Sequence, residues 1–257
     1  MANNEQNGTE DKEDLSILLD STYPLLQKFR EAAPGTYKHS QALMSMMESI
    51  SMALDLDTNF MKVASLYHDV GKMYNPKFFT ENQLAEEGNP HDNIDPRMSY
   101  QIISRHVSDT VNILINDCKF PRKLIEVVSQ HHGTNVVKYF FEKSGTDVED
   151  VYRYKCTKPT CVEAAALMIC DHVEAISRSK YQAGKLNPIE VIEYTISMLL
   201  DDGQLDEVVM KLGDLKRIKE ALGKELEGVY QKRVDYDEAK NEKKSKKKKS
   251  AGEEKNE

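Results

Sequence analysis

Apolar residues recur at the period of a helix along most of this chain. In "HSQALMSMMESISMALDL" Leu43, Met46 or Met47, Ile50 and Leu54 fall on one face, and in "TNFMKVASLYHDV" Phe60, Val63, Ala64 and Tyr67 do the same. The second helix has Thr58 or Asn59 as its expected N-cap. A third stripe, in "DPRMSYQIISRHVSDTVNILIND", runs through Ile102, Ile103, Val107, Val111 and Leu114. "PRKLIEVVSQHHGT" reads as a short helix with Pro121 at its first position and Gly133 as its stop. "TCVEAAALMICDHVEAISRS" is apolar nearly all round, as a central buried helix is. Two further amphipathic helices run through 189–200 and 212–229. No stretch alternates convincingly as a strand and no internal repeat appears. The pattern predicts an all-α helical bundle, one domain from about residue 14 to 236.

Two long polar interruptions stand out. Residues 72–96 are rich in Pro, Gly and Asn; residues 133–160 begin with a helix-like aromatic stretch and then loosen. Insertions of this length are commonly functional.

Composition narrows the class. The 257 residues are 39% hydrophobic and 30% charged with no tryptophan, as in a helix-rich globular protein. No apolar run reaches about 18 residues, so no transmembrane helix is expected. The start, "MANNEQNGTEDKEDLS", lacks the basic and apolar regions of a signal peptide. Residues 1–13 read as a disordered acidic leader, and the initiator Met with this polar leader fits a free-standing protein better than a fragment. Four cysteines, with Cys156 and Cys161 in a lone CxxxxC, read as reduced thiols. The expected location is cytoplasmic.

Net charge is −8, unevenly spread: residues 240–257 hold eight lysines and four glutamates, leaving −12 on the rest. A domain that acidic does not suit a nucleic-acid polymer. If it handles a phosphate ester, metal cations must supply most of the attraction. The Lys-rich tail, 237–257, reads as disordered: either a solubilising segment or a weak tether to an anionic surface.

Histidine spacing can be tested against helix geometry. His39 lies about 24 Å of helix before the turn at Asp55–Asp57, and His68 about 15 Å after it. An antiparallel hairpin brings both towards one end. His106 and His131 lie at similar distances on either side of the turn between Asp117 and Pro121. Two hairpins that present imidazoles at matched height can build one metal site between four helices. Asp171 sits in "AAALMICDHVEAI", where an ionised carboxylate costs several kcal/mol unless paired or bound to a cation. Taken singly, each histidine reads more readily as a hydrogen-bonded core or turn residue. His91 in "NPHDN" suits a turn, His131–His132 a helix C-terminus, and Lys72 a solvated last-turn lysine. His172, adjacent to Asp171, points about 100° away from it. The joint pattern is harder to explain that way.

His39, His68–Asp69 and Asp171 form the H…HD…D signature of HD-domain phosphohydrolases. "APGTYKHS", "YHDVGKMYNPKFFTENQ", "NPHDNIDPRMS", "IISRHV", "QHHGTNVVKYFF", "KPTCVEAAALMICDHVEAISRS" and "DGQLDE" resemble the catalytic domain of PgpH-type cyclic-di-AMP phosphodiesterases, over residues 20–236. The resemblance implies an HD-domain bundle with a site for two divalent metal ions, iron or manganese, that cleaves cyclic di-AMP to pApA through a hydroxide bridging the ions. It implies one ion on His39, His68, Asp69 and Asp171, with Asp69 bridging to a second on His106, His131 and His132. Asp69 and Lys72 become the catalytic pair, Lys72 contacting the scissile phosphate. His91, Tyr74, Thr134 and Tyr139 become candidates for substrate contact, with Phe78 a further aromatic near the base. Family members usually carry transmembrane helices ahead of this domain, and none is found in this sequence. "RYKCTKP" is poorer in Pro and Gly than its counterpart, and His172 stands where serine is usual. Another nucleotide or cyclic dinucleotide as substrate, or a catalytically silent cyclic-dinucleotide receptor, are the alternatives.

Overall fold

The computed structural model describes residues 14–84, 86, 88–117 and 119–228. The expected leader, the Lys-rich tail, residues 229–236 and Cys118 lie outside them. In chain order the helices are α1 (Pro24–Ala32), α2 (Pro34–Leu54), α3 (Thr58–Tyr67), α4 (Pro96–Asn116), α5 (Arg122–Ser129), α6 (Lys138–Ser144), α7 (Val162–Gln182), α8 (Pro188–Asp201) and α9 (212–228).

The α2–α3 reversal is local chemistry. Asp55 takes the left-handed conformation (φ 57°), which aspartate tolerates better than most residues. Asp57 then accepts the Phe60 amide at 3.0 Å. The N-cap is therefore Asp57, one residue ahead of the expected Thr58 and two ahead of Asn59. A similar shift occurs at α5, where Pro121 keeps an extended ψ of 147° and caps the helix from outside instead of opening it. Asp95 caps α4 through the Arg97 and Met98 amides at 2.8 and 3.3 Å.

α7 forms the centre. Ala164 through Cys170 are all buried, as are Leu43, Met46, Met47 and Ile50 of α2 and Val63, Ala64 and Tyr67 of α3. Burial of this kind is the main stabilising term, about 1.5–3 kcal/mol per large apolar side chain. Among the described residues no helix is long and apolar enough to cross a membrane.

The 72–96 interruption forms no long helix in its described residues. It follows a 3-10 turn, Val70–Tyr74, with three more, Pro76–Phe78, Thr80–Asn82 and Pro90–Asn93. Side chains fasten it. Asn82 Oδ1 accepts the Gly35 and Thr36 amides at 2.8 and 3.1 Å, capping α2 from 46 residues away. A Cβ on Gly35 would stand 1.9 Å from the Glu81 carbonyl oxygen, so glycine is what permits the approach. The 133–160 interruption holds α6, a 3-10 turn at Glu149–Tyr152 and one antiparallel bridge, Val136 with Arg153. Its Phe140 and Tyr152 pack with Tyr100 of α4 in a small core apart from the main one.

Candidate metal centre

The two hairpins converge. His39 and His68 lie with ring centroids 5.2 Å apart, and His106 and His131 5.6 Å apart. His68 ends α3, and Asp69 follows before the 3-10 turn. His131 and His132 sit in the turn just beyond α5, and Asp171 arrives from the middle of α7.

Gly71 lets the His68–Asp69 turn meet α4. A Cβ there would lie 2.3 Å from the His106 carbonyl oxygen. The Gly71 amide donates to Thr110 Oγ1 at 2.9 Å, which fixes the turn against α4.

Asp69 is 1% exposed and its two oxygens face different neighbours. Oδ2 lies 3.2 Å from His68 Nε2, 3.8 Å from His39 Nε2 and 2.6 Å from Lys72 Nζ. Oδ1 lies 3.1 Å from His106 Nε2 and 3.7 Å from His131 Nε2. Asp171 behaves likewise: Oδ1 is 3.0 Å from His39 Nε2 and 3.6 Å from His68 Nε2, while Oδ2 is 3.8 Å from His132 Nδ1.

Charge is held tightly here. Burial would push the Asp69 and Asp171 carboxyls up, but Lys72, His68 and His106 around the first and His39 and His68 around the second outweigh it, so both stay well below the usual range. Burial also opposes a charged Lys72, and Asp69 and Glu81 overcome it and push the ammonium up. His132 is pushed well down, by burial first and then by His131 and His106.

These groups suit a divalent cation. Three sets of donors, Asp69–His106–His131–His132, His39–His68–Asp69 and His68–His131–Asp171, each place one ligand atom per residue within 4.8 Å of the others. His68 Nε2 and Asp69 Oδ1 are buried yet take no hydrogen bond, an arrangement that is costly unless a bound cation satisfies them. Imidazole and carboxylate are the ligands zinc, iron and manganese accept.

The expected substrate contacts scatter. Lys72 joins the cluster. His91 is buried between Phe78 and Phe140, 5.3 and 4.7 Å between centroids, and its Nε2–H donates to the Phe78 carbonyl at 2.9 Å. Thr134 is engaged with Gln204, which accepts its amide at 3.0 Å. Tyr74 and Tyr139 stand exposed, at 58% and 53%. His172 lies 6.2 Å from His132 between centroids, and its Nδ1–H donates to the Met168 carbonyl.

Sequence reasoning missed several neighbours. Tyr154 stacks on His132 at 4.3 Å and 24°. Phe79 lies 4.9 Å beneath the Lys72 ammonium and 5.7 Å from the His106 ring. Glu81 binds Lys72 at 3.1 Å. Glu174 accepts from His39 Nδ1 at 2.5 Å. "FFTENQ" was legible as a motif, but nothing in it shows which side chain turns inward.

Comparisons with known proteins agree with this geometry. The HD domain matches residues 36–176. The cyclic-di-AMP phosphodiesterase PgpH of Bacillus subtilis is 35% identical over 226 residues, 86% of this chain and 32% of that protein. Its Listeria monocytogenes counterpart is 35% identical over 223 residues, 85% of this chain and 31% of that protein. This chain thus spans about a third of the length of the curated relatives it matches. The solved HD domain of L. monocytogenes phosphodiesterase PgpH superposes with a TM-score of 0.75 at 36% identity, covering 81% of this chain and 99% of that one. The same domain in complex with cyclic-di-AMP gives a TM-score of 0.75 at 35% identity, covering 82% and 100%. With the match spanning more than half of the sequence and the histidines and aspartates of the signature gathered in one buried cluster, this chain belongs to the HD-domain family.

Proposed function

We propose that this domain is a two-metal phosphodiesterase that hydrolyses a cyclic dinucleotide, cyclic di-AMP to pApA. The observation that carries the reading is the division of Asp69, whose oxygens face His39 and His68 on one side and His106 and His131 on the other. One ion, iron or manganese, would be held by His39, His68, Asp69 and Asp171. The other would be held by Asp69, His106, His131 and His132. The chemistry such ions supply is a water acidic enough to ionise near neutral pH and neutralisation of charge on phosphoryl oxygens. Choice of substrate rests on the likeness to the L. monocytogenes domain, whose structure is a complex with cyclic-di-AMP.

The chain's own groups do the rest. Lys72 stands at the edge of the cluster, its ammonium held between Asp69 and Glu81 and over the Phe79 ring. There it can pair with a phosphoryl oxygen as negative charge grows, a contribution on the order of 10²–10³ in rate for a single well-placed donor. Asp69 orients the attacking water. Tyr154 walls the His132 side. Cys156, Cys161 and Cys170 as free thiols fit a cytoplasmic setting.

Anaerobically purified protein, analysed for metal and assayed side by side with cyclic di-AMP and cyclic di-GMP, tests the reading. The expected outcome is two equivalents of metal, pApA from cyclic di-AMP, and no turnover in Asp69→Ala. Undiminished hydrolysis by that variant after it has lost its metal would sink the mechanism. Binding without hydrolysis in loaded wild-type protein would favour a receptor.

A further inference from the structure

Glu174 is a buried carboxylate, 5% exposed, to which the reading above gives no part. Its Oε2 accepts from His39 Nδ1 at 2.5 Å and is steadied by Arg178 Nε, one turn on, at 3.3 Å. The comparison with the other imidazoles is informative. His68, His106 and His131 donate Nδ1–H to the carbonyl oxygens of Ser65, Ile103 and Val128, each three residues earlier, at 2.7, 2.6 and 2.6 Å. Of these four rings His39 differs: its partner is a carboxylate, and it comes from another helix.

The spacing explains how. Asp171 and Glu174 are three apart on α7 and so share a face. One turn of α7 therefore takes both nitrogens of the His39 ring, Nε2 through Asp171 Oδ1 at 3.0 Å and Nδ1 through Glu174. Carboxylates placed behind a ligating imidazole fix its tautomer and raise its basicity.

We infer that Glu174 is a positioning residue for the ion held through His39. It keeps the proton on Nδ1, turns the Nε2 lone pair towards the Asp69–Asp171 side and makes His39 a stronger donor than the three rings backed by neutral carbonyls. This inference rests on the metal-centre reading above. Its consequence is selective: His106, His131 and His132 have no contact with Glu174 among those described, so one of the two metal equivalents depends on it and the other does not.

Titration of the whole metal-free chain with Mn(II), against a competing chelator, tests this in wild type, Glu174→Gln and Glu174→Ala. Glutamine keeps an acceptor and loses the charge; alanine loses both. One equivalent should weaken about 10-fold in the first variant and towards about 100-fold in the second, the other staying within about 2-fold of wild type. The thermal midpoint of metal-free Glu174→Gln should fall modestly, because His39 loses the charge of one of its two carboxylate partners, while affinity for the second equivalent stays at the wild-type level. Wild-type affinity for both equivalents in both variants overturns the inference, as does a parallel loss of both that follows the thermal midpoint. Should the alanine variant fail to fold, Glu174→Asp decides: restored charge must bind the weakened equivalent more tightly than Glu174→Gln, and equality overturns the inference. Folded wild-type protein that takes up no Mn(II) overturns the metal-centre reading itself, and this inference with it.

Discussion

Four of the imidazoles packed around Asp69 and Asp171, those of His39, His68, His131 and His132, do not share one charge state. Burial opposes the charged forms of His39 and His68, yet Asp171 and Glu174 beside the first and Asp69 and Asp171 beside the second outweigh it, holding them up at about 9 and about 10. His131 and His132 go the other way, pushed down by burial. The signs follow from linkage. A raised histidine stabilises the fold fully below its unfolded value, about 6.5, and that stability is lost as pH rises through 9 and 10. A lowered histidine destabilises below about 6.5 and ceases to do so above it. The melting temperature of metal-free protein should therefore peak near pH 6.5 and fall towards pH 10. Added Mn(II) should move the peak upward, since ions and protons compete for the same nitrogens. A thermal scan across pH 5–10, with and without metal, checks this; a flat metal-free profile above pH 6.5 would contradict it. At this scale Asp171 was readable from sequence because it breaks an apolar run. Glu174 was not, since its partner lies 135 residues away and an exposed helix face would spell the same letters.

Between the His68–Asp69 turn and α4, the close fit is at Gly71. Its missing side chain lets the His68–Asp69 turn reach the α4 backbone at His106 and Thr110. A methyl group there must move one of two segments that carry proposed metal ligands. Gly71→Ala should cost about 1–3 kcal/mol in chemical denaturation, typical of overpacking. It should also reduce turnover by more than that stability loss explains, because His68–Asp69 and His106 would no longer keep their spacing. Full activity in a variant destabilised by that amount would argue that the turn and α4 tolerate displacement. Helix order and the matched heights of the two hairpins were legible, since both follow from periodicity and rise per residue. The caps were missed by one residue, where an aspartate and an extended proline won over the neighbouring choices. The four 3-10 turns of 70–93 were illegible for a simpler reason: none is long enough to show a period.

At the scale of the whole molecule, charge and attachment matter most. The net charge of −12 outside the last 18 residues would repel the proposed phosphodiester substrate, so on that reading attraction is concentrated at the imidazole cluster and Lys72. Composition made that legible. What it left hidden is how the 72–96 segment is held. Asn82 supplies the cap that α2 lacks in its own sequence, and Glu81 receives Thr36 Oγ1 at 2.9 Å and Lys72 at 3.1 Å. Residues 35–36 and 81–82 thus depend on one another, although 44 positions separate them. Chimaeras make the point testable. Exchanging 72–96 alone with a distant HD domain should strip the cap and lower the melting temperature by several degrees, at roughly 2–4 °C per kcal/mol. Exchanging 33–36 with it should recover most of that loss, and equal melting temperatures in the two chimaeras would refute the pairing. Recombination between such domains is then constrained less by where the loop begins and ends than by a short stretch near the start of the second helix, which must travel with it.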